Sequence, residues 1–303
     1  MVIQFKKNED IDKQLWDNCI ANSFNGRVYA MSWYLDAMAS GWGAIVTDNY
    51  DFIMPLPIRK KWGFAYIFQP AFTQQLGIFS SKRVTTSIAN EFIGKIKLHF
   101  NYAEINFNSE NILAETNELI LKKNFLLPLN SSYLDLQKSF SRSAKRNICK
   151  AIKCNIEIEE SNDCSILMQL HRERYGYKFA TKNEFVVLET LLNKAKQNGM
   201  AYFFYAKKLN GNYIASSGYL LFKNRIIFLI NGNLTEGLET GATHLLKNYV
   251  LKKFANTDLI MDFEGSDTEA FARFYEQYGA KNLDSYPFLK FNNLPQIIKI
   301  FKR

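Results

Sequence analysis

The chain repeats itself: one order of elements occurs twice in 303 residues, the second time displaced by about 155 positions. That order is a short strand, two helices, a three-strand meander, a long helix and a further strand. Solenoid repeats recur every roughly 20–50 residues, so a spacing this long is that of a duplicated domain. In the second copy a strand at Ile156-Glu157-Ile158 precedes helices near Ser165 to Tyr177 and Glu184 to Gln197, the latter stopped by Asn198-Gly199. The meander is Tyr202 to Lys207, the turn Asn210-Gly211, Tyr213 to Phe222, the turn Lys223-Asn224, then Arg225 to Ile230. Asn-Gly suits a tight hairpin because the turn needs positive φ.

The first copy matches it with Ile3-Gln4-Phe5, helices Ile11 to Phe24 and Met31 to Ala39, and strands Ala44 to Thr47, Phe52 to Arg59 and Phe64 to Phe68. Long helices then run from Val84 to Phe100 and from Gly241 to Phe254, followed by strands ending at Phe107 and Phe263; the offsets are 154 and 156. Beyond these strands only the second copy continues into a helix, Thr268 to Tyr278, and a final strand, while the first passes through Glu110 to Glu118 into extended segments. The sequence therefore reads as two α/β domains with mixed twisted sheets, 1–136 and 137–303. Their boundary is set at the Asn130-Ser131-Ser132 turn and the polar stretch after Leu136. The first copy reads as degenerate and the second as complete.

Composition narrows the class. Hydrophobic residues make up 47% and charged residues 22%, with 15 Gly and 6 Pro, which excludes collagen-like and disordered chains. Apolar runs such as Ile226-Ile227-Phe228-Leu229-Ile230 fall far short of the ~20 residues of a membrane helix. Charges within the first ten residues argue against a signal peptide, and four scattered cysteines, Cys19, Cys149, Cys154 and Cys164, form no disulfide framework; a cytoplasmic protein with reduced thiols is expected. The net charge of +9 favours anionic partners. His99, His171 and His244 are dispersed without metal-ligand spacing, so no metal is expected, and no nucleophile elbow, Walker loop or dinucleotide fingerprint is present.

The segment from Asp262 to Ala280 holds the densest chemistry. Ser266 and Glu269 have capping-box spacing at the start of a helix. Phe271, Phe274, Tyr275 and Tyr278 fall at i, i+3, i+4 and i+7, a stripe that core packing alone would explain. Asp262 and Glu264 alternate with Phe263, so a strand sends both carboxylates to one face, either to share a proton-accepting site or to cap nearby backbone groups. Thr240 reads as a helix cap ahead of Gly241, Ala242 and Thr243. Arg142, Lys145, Arg146, Lys150 and Lys153 fall on one helical face, either as solvated surface or as an anion-binding face.

The pattern Asp267, Ala270, Phe274-Tyr275, Gly279 resembles the last strand-helix-turn of GNAT N-acyltransferases, and Asp262-Phe263-Glu264-Gly265-Ser266 resembles a strand end of the tandem-GNAT branch that contains the FemABX peptidyltransferases. With the duplication, the resemblance covers nearly the whole chain and implies two GNAT-like domains. It implies N-acyl or aminoacyl transfer to an amine, a small molecule or a cell-wall precursor, from acetyl-CoA or another acyl-CoA, or from aminoacyl-tRNA. Tyr275 takes the position of the general acid that protonates the leaving group, with Glu264 and Asp262 as proton acceptors. A phenol with a pKa near about 10 keeps its proton at neutral pH and suits that task.

The donor would lie at Ile230 and Asn231, beyond a strand splay whose backbone N–H stabilises the oxyanion, and at Gly241, Ala242 and Thr243. The glycine-rich phosphate loop of CoA-using relatives is degraded here, with Gly237, Thr240 and Ala242 at its key positions and Glu236 and Glu239 adding negative charge. The stretch from Arg142 to Ala151 resembles the basic stretch that opens the second FemABX domain, which places Arg142, Lys145 and Arg146 near substrate. The turn from Phe179 to Asn183 is too short for that family's tRNA-associated helical arm. The alternative is a catalytically silent module that binds a sugar-phosphate or nucleic acid through the basic face.

Overall fold

Pro57 has no N–H to give a ladder, and it divides what the hydrophobic pattern presents as one strand from Phe52 to Arg59. In the computed structural model, which describes residues 2–294, the division separates two sheets. The described residues form two units, one of 2–122 with 285–294 and one of Lys123–Asp284.

The first unit contains β1 (Ile3–Lys6), α1 (Lys13–Asn22), α2 (Ser32–Met38), β2 (Gly43–Thr47), β3 (Ile53–Leu56), β4 (Ile58–Lys61), β5 (Phe64–Phe68), α3 (Thr86–His99), β6 (Tyr102–Asn106) and β7 (Leu119–Lys122). Strands β1, β2 and β3 form a three-stranded antiparallel sheet. The second sheet starts at edge strand β4, whose exposed Arg59, Lys60 and Lys61 discourage pairing with another chain. β5 pairs antiparallel with β4 and parallel with β6, through Ile67↔Ala103 and Phe68↔Glu104. α3 makes this parallel connection and turns Ala89, Phe92 and Ile96 into the core.

The second unit contains β8 (Phe125–Pro128), α4 (Tyr133–Lys138), α5 (Arg142–Lys153), β9 (Glu157–Ser161), α6 (Ser165–Tyr175), α7 (Lys182–Gln197), β10 (Ala201–Lys207), β11 (Tyr213–Phe222), β12 (Arg225–Asn233), α8 (Thr235–Glu239), α9 (Ala242–Phe254), β13 (Ile260–Phe263), α10 (Glu269–Glu276) and β14 (Lys281–Asn282). No proline interrupts β11, and the sheet is one piece in the order β14-β8-β13-β12-β11-β10-β9. Its edge strand β9 is acidic, with Glu159 paired to Lys207 and Glu160 to Lys253, both at 2.7 Å. The last strand, β15 (Tyr286–Asn292), returns to the first unit, where it lies between β6 and β7.

The division of the chain differs from the expected 1–136 and 137–303. β8 pairs antiparallel with β13, so the second unit begins at Lys123, and the final strand belongs to the first. The Asn130-Ser131-Ser132 turn lies within the second unit and caps α4: the Ser132 side chain accepts from Asp135 N–H. Both units keep the expected repeat of meander, long helix and parallel strand. Among the described residues no helix is long and apolar enough to cross a membrane, and the four cysteines are free.

A buried charge cluster holds the second sheet where β12 and β13 begin to pair. Arg225 reaches Asp262 at 2.8 Å and Asp284 at 2.9 and 3.1 Å, and the Asn124 amide donates to both carboxylates. Burial opposes the Arg225 charge, but the two aspartates outweigh it and raise its pKa further. Arg225→Met is expected to cost ~3–5 kcal/mol in denaturant unfolding because it strands two buried carboxylates. Adding Asp262→Asn and Asp284→Asn is expected to recover most of that loss, and no recovery would show that the three do not act as a cluster.

Candidate functional site

β12 and β13 stay paired for three positions, Arg225↔Ile260, Ile226↔Met261 and Ile227↔Asp262, and then part. β12 continues alongside β11 to Asn233, with a register shift between Gly218↔Ile230 and Tyr219↔Phe228 that leaves Leu229 as the extra residue of a bulge. The result is a fork between parallel strands, open toward their carboxyl ends, where ligands of open α/β sheets are received. Ile230 is buried in the bulged segment, and the Asn231 carbonyl is 2.6 Å from His171 Nδ1 on α6.

Phe228 and Phe263 are the first residues of each strand past the last paired position. Tyr275 of α10 packs against both: its ring stacks on Phe263 at 4.7 Å and meets Phe228 edge-on at 6.2 Å. The side chain is 5% exposed, and burial, with Tyr219, Glu264 and Tyr175 nearby, drives its phenol pKa far up. Tyr275 is therefore a fully protonated donor. The aromatic stripe holds in part, since Tyr275 and Tyr278 are buried, Phe274 packs against the core and Phe271 is exposed.

Asp262 and Glu264 do not share a site. Asp262 is committed to Arg225 and Asn124, a structural role that removes it from the proton acceptors. Glu264 follows the end of β13, so strand alternation no longer governs it. Its Oε1 is buried with no hydrogen-bond partner among the described residues, and burial raises its pKa well above the ordinary carboxylate value. The capping box is also absent: α10 starts after Thr268, Ser266 donates to the Phe263 carbonyl and accepts from Phe125 N–H at 3.1 Å, and Glu269 pairs with Arg273.

α9 begins at Gly241, which adopts φ +81 and lies so close to α5 that a Cβ would stand 2.4 Å from the Asn147 carbonyl oxygen. No side chain caps this helix. Thr240 instead closes α8, its hydroxyl donating to the Glu236 carbonyl, so the expected cap role is corrected. Ala242 is buried, and the Thr243 hydroxyl is buried without a partner among the described residues. Glu236, one of the two acids set against a phosphate here, is bound by Lys208 at 2.6 Å. The Asn147 amide donates to His244 Nε2 at 3.3 Å, which leaves Nδ1 to face the Tyr278 hydroxyl at 2.8 Å.

Arg142, Lys145 and Arg146 are exposed on α5, turned away from its buried Ala144, Ile148 and Ala151. The structure ties their helix, through Asn147, to the start of α9. It brings no metal-ligand cluster together among the described residues. Sequence reasoning missed Lys247, which is fully buried on α9, and Tyr219, whose hydroxyl lies 3.0 Å from Lys247 Nζ. The available signal was position: Lys247 stands three, four and seven residues before Val250, Leu251 and Phe254, on an apolar stripe where a lysine is out of place.

Burial lowers the His244 pKa from 6.5 to about 4. The folded value lies below the unfolded one, so His244 contributes stability that is complete above pH 6.5 and lost as pH falls toward 4. Over that window the wild type is expected to lose up to about 1.4 kcal/mol per pH unit more than His244→Asn in denaturant unfolding. Parallel pH profiles would contradict the neutral, buried histidine.

No family model matches the chain, and no curated protein matches it in sequence. Solved structures do match in shape. FemX superposes over 100% of both chains at TM-score 0.63 and 13% identity. A tandem GNAT protein from the clavulanic acid biosynthesis pathway matches 97% of this chain and 99% of its own, at TM-score 0.58 and 10% identity. An acetyltransferase of the GNAT family from Colwellia psychrerythraea matches 95% of this chain and 100% of its own, at TM-score 0.54 and 10% identity. The two repeated units, each with a meander, a crossover helix and a parallel strand, are thus those of the tandem GNAT, FemABX-like fold.

Proposed function

We propose that the second unit is an N-acyltransferase that moves an acyl or aminoacyl group from an activated donor, an acyl-CoA thioester or an aminoacyl-tRNA ester, to an amine. The observation that carries this reading is Glu264, whose Oε1 is buried without a hydrogen-bond partner among the described residues, at the end of β13 whose Phe263 stacks on the protonated phenol ring of Tyr275, beside the opening of parallel strands. Two titratable groups held in opposite protonation tasks are the signature of acid–base chemistry.

Glu264 removes a proton from the attacking ammonium, whose free amine adds to the donor carbonyl. A backbone N–H at the Leu229 bulge holds the oxyanion. Collapse of the adduct expels a thiolate or ribose alkoxide, which takes the Tyr275 proton, and the positively charged adduct nitrogen gives one proton back to the phenolate, leaving a neutral amide. The start of α9 fits the phosphates of such a donor: its own ladder begins only with the His244 and Leu245 N–H groups, which donate to the Gly241 carbonyl, so the Ala242 and Thr243 N–H groups precede it, and the Thr243 hydroxyl lacks a partner among the described residues. Those N–H groups, with Thr243, would hold the donor, while Arg142, Lys145 and Arg146 add positive charge along α5. The fold supports both donor classes, because FemX and GNAT acetyltransferases share it.

Incubation with acyl-CoA panels and mixed amines, followed by thiol release and product mass, tests the reading. Tyr275→Phe is expected to lower kcat by ~10²–10³-fold, and an unchanged rate would remove Tyr275 from the chemistry. Glu264→Gln is expected to cost a similar ~10²–10⁴-fold. A base must be deprotonated to act, so wild-type kcat/KM is expected to fall on an acid limb above pH 4.5 that this variant lacks.

A further inference from the structure

Lys247 is a buried lysine at the fork that the acid–base chemistry leaves unused. It is 2% exposed, and its Nζ lies 3.4 Å from the centre of the Phe228 ring, 5.0 Å from Phe263 and 5.1 Å from Tyr219. Because Phe228 and Phe263 are the residues at which β12 and β13 separate, the amine stands at the closed end of the fork. Its polar contact is the Tyr219 hydroxyl at 3.0 Å.

Other buried cations of this protein have carboxylates of their own. Arg225 has Asp262 and Asp284, and Arg27 has Glu110 at 3.0 Å. Lys247 has none among the described residues, and burial alone pushes its pKa well below that of an ordinary lysine. Three ring faces around the nitrogen nevertheless form a cage that suits an ammonium. The site is thus built for a cation and lacks the anion that would hold the proton on it.

We propose that Lys247 selects the acyl group: the closed end of the fork takes an acyl group bearing a second carboxylate, which supplies the missing counter-ion. The inference rests on the acyl-transfer reading of the same site and names its substrate class. No covalent bond changes in this recognition step. The docked ligand carboxylate and the Lys247 amine form an ammonium–carboxylate pair, and any proton the free amine lacks comes from solvent. The same acidic acyl chemistry arrives either as a thioester or as an acidic aminoacyl ester, and paired probes separate the two.

Isothermal titration at pH 7.5, in two buffers of different ionisation enthalpy, compares succinyl-CoA with acetyl-CoA, and the amide-linked 3′-glutamyl adenosine with its alanyl analogue. In at least one pair the acidic member is expected to bind ~10-fold or more tightly than the neutral one, with a proton uptake that the neutral member does not show. Lys247→Met, checked for an intact thermal transition, is expected to abolish both the preference and the uptake while the neutral member still binds. Neutral and acidic probes binding alike, with no proton uptake, would overturn the role of Lys247 and leave acyl transfer standing. Binding of none of the four would overturn the donor reading and this inference with it.

Discussion

The guanidinium of Arg225, held between Asp262 and Asp284, fixes where the second sheet is closed and therefore where it opens. Arg225 is the first residue of β12 and the first to pair with β13, and Asp262 is the last β13 residue in that ladder. Asn124 and Asp284 bring the segments flanking β8 and β14 into the same cluster. Buried ion pairs add little net stability because desolvation offsets their attraction, but a mispaired strand would leave three charges stranded. The cluster acts as a register lock. Among the described residues the ladder ends with Ile227↔Asp262, and the bulge at Leu229 follows in β12.

Polar burial is distributed unevenly along this fork. At its locked end every charge has an opposite charge. Past the last strand pair, Glu264 Oε1 and Thr243 Oγ1 are buried without partners among the described residues, and Lys247 relies on a phenol. Such groups cost stability in the free protein, and they persist where a ligand or reacting atom completes them. The rings of Phe228 and Phe263 close over the Lys247 amine, and Tyr275 packs on both rings.

Much of this was legible from periodicity. The repeated helices and strands appear because their apolar spacing is local, and Tyr275 stands out because its motif lies within a few residues of sequence. What failed was non-local or depended on one atom. The apolar pattern of β3 and β4 hides the missing N–H of Pro57, and nothing local in Tyr286–Asn292 says which sheet it joins. Asp262 and Glu264 look equivalent until β13 ends between them and Arg225 arrives from 37 residues away. Lys247 was visible only as a fault in an apolar stripe.

The first unit shows what the same fork becomes when the chain fills it. Its parallel pair, β5 and β6, covers two positions, and the segment after β5 folds back into the gap. Gln69 N–H donates to the Glu104 carbonyl at 2.9 Å, its side-chain oxygen accepts from Asn106 N–H at 3.0 Å, and Leu76 N–H donates to the Asn106 carbonyl at 3.0 Å. Leu76 then bridges to Phe107 in parallel, extending the sheet where the second unit leaves it open. The backbone amides of Gln69, Leu76 and Asn106 are thus satisfied within the first unit itself. The difference lies in the 69–76 segment, whose hydrogen bonds to β6 fill the place that stays open between β12 and β13.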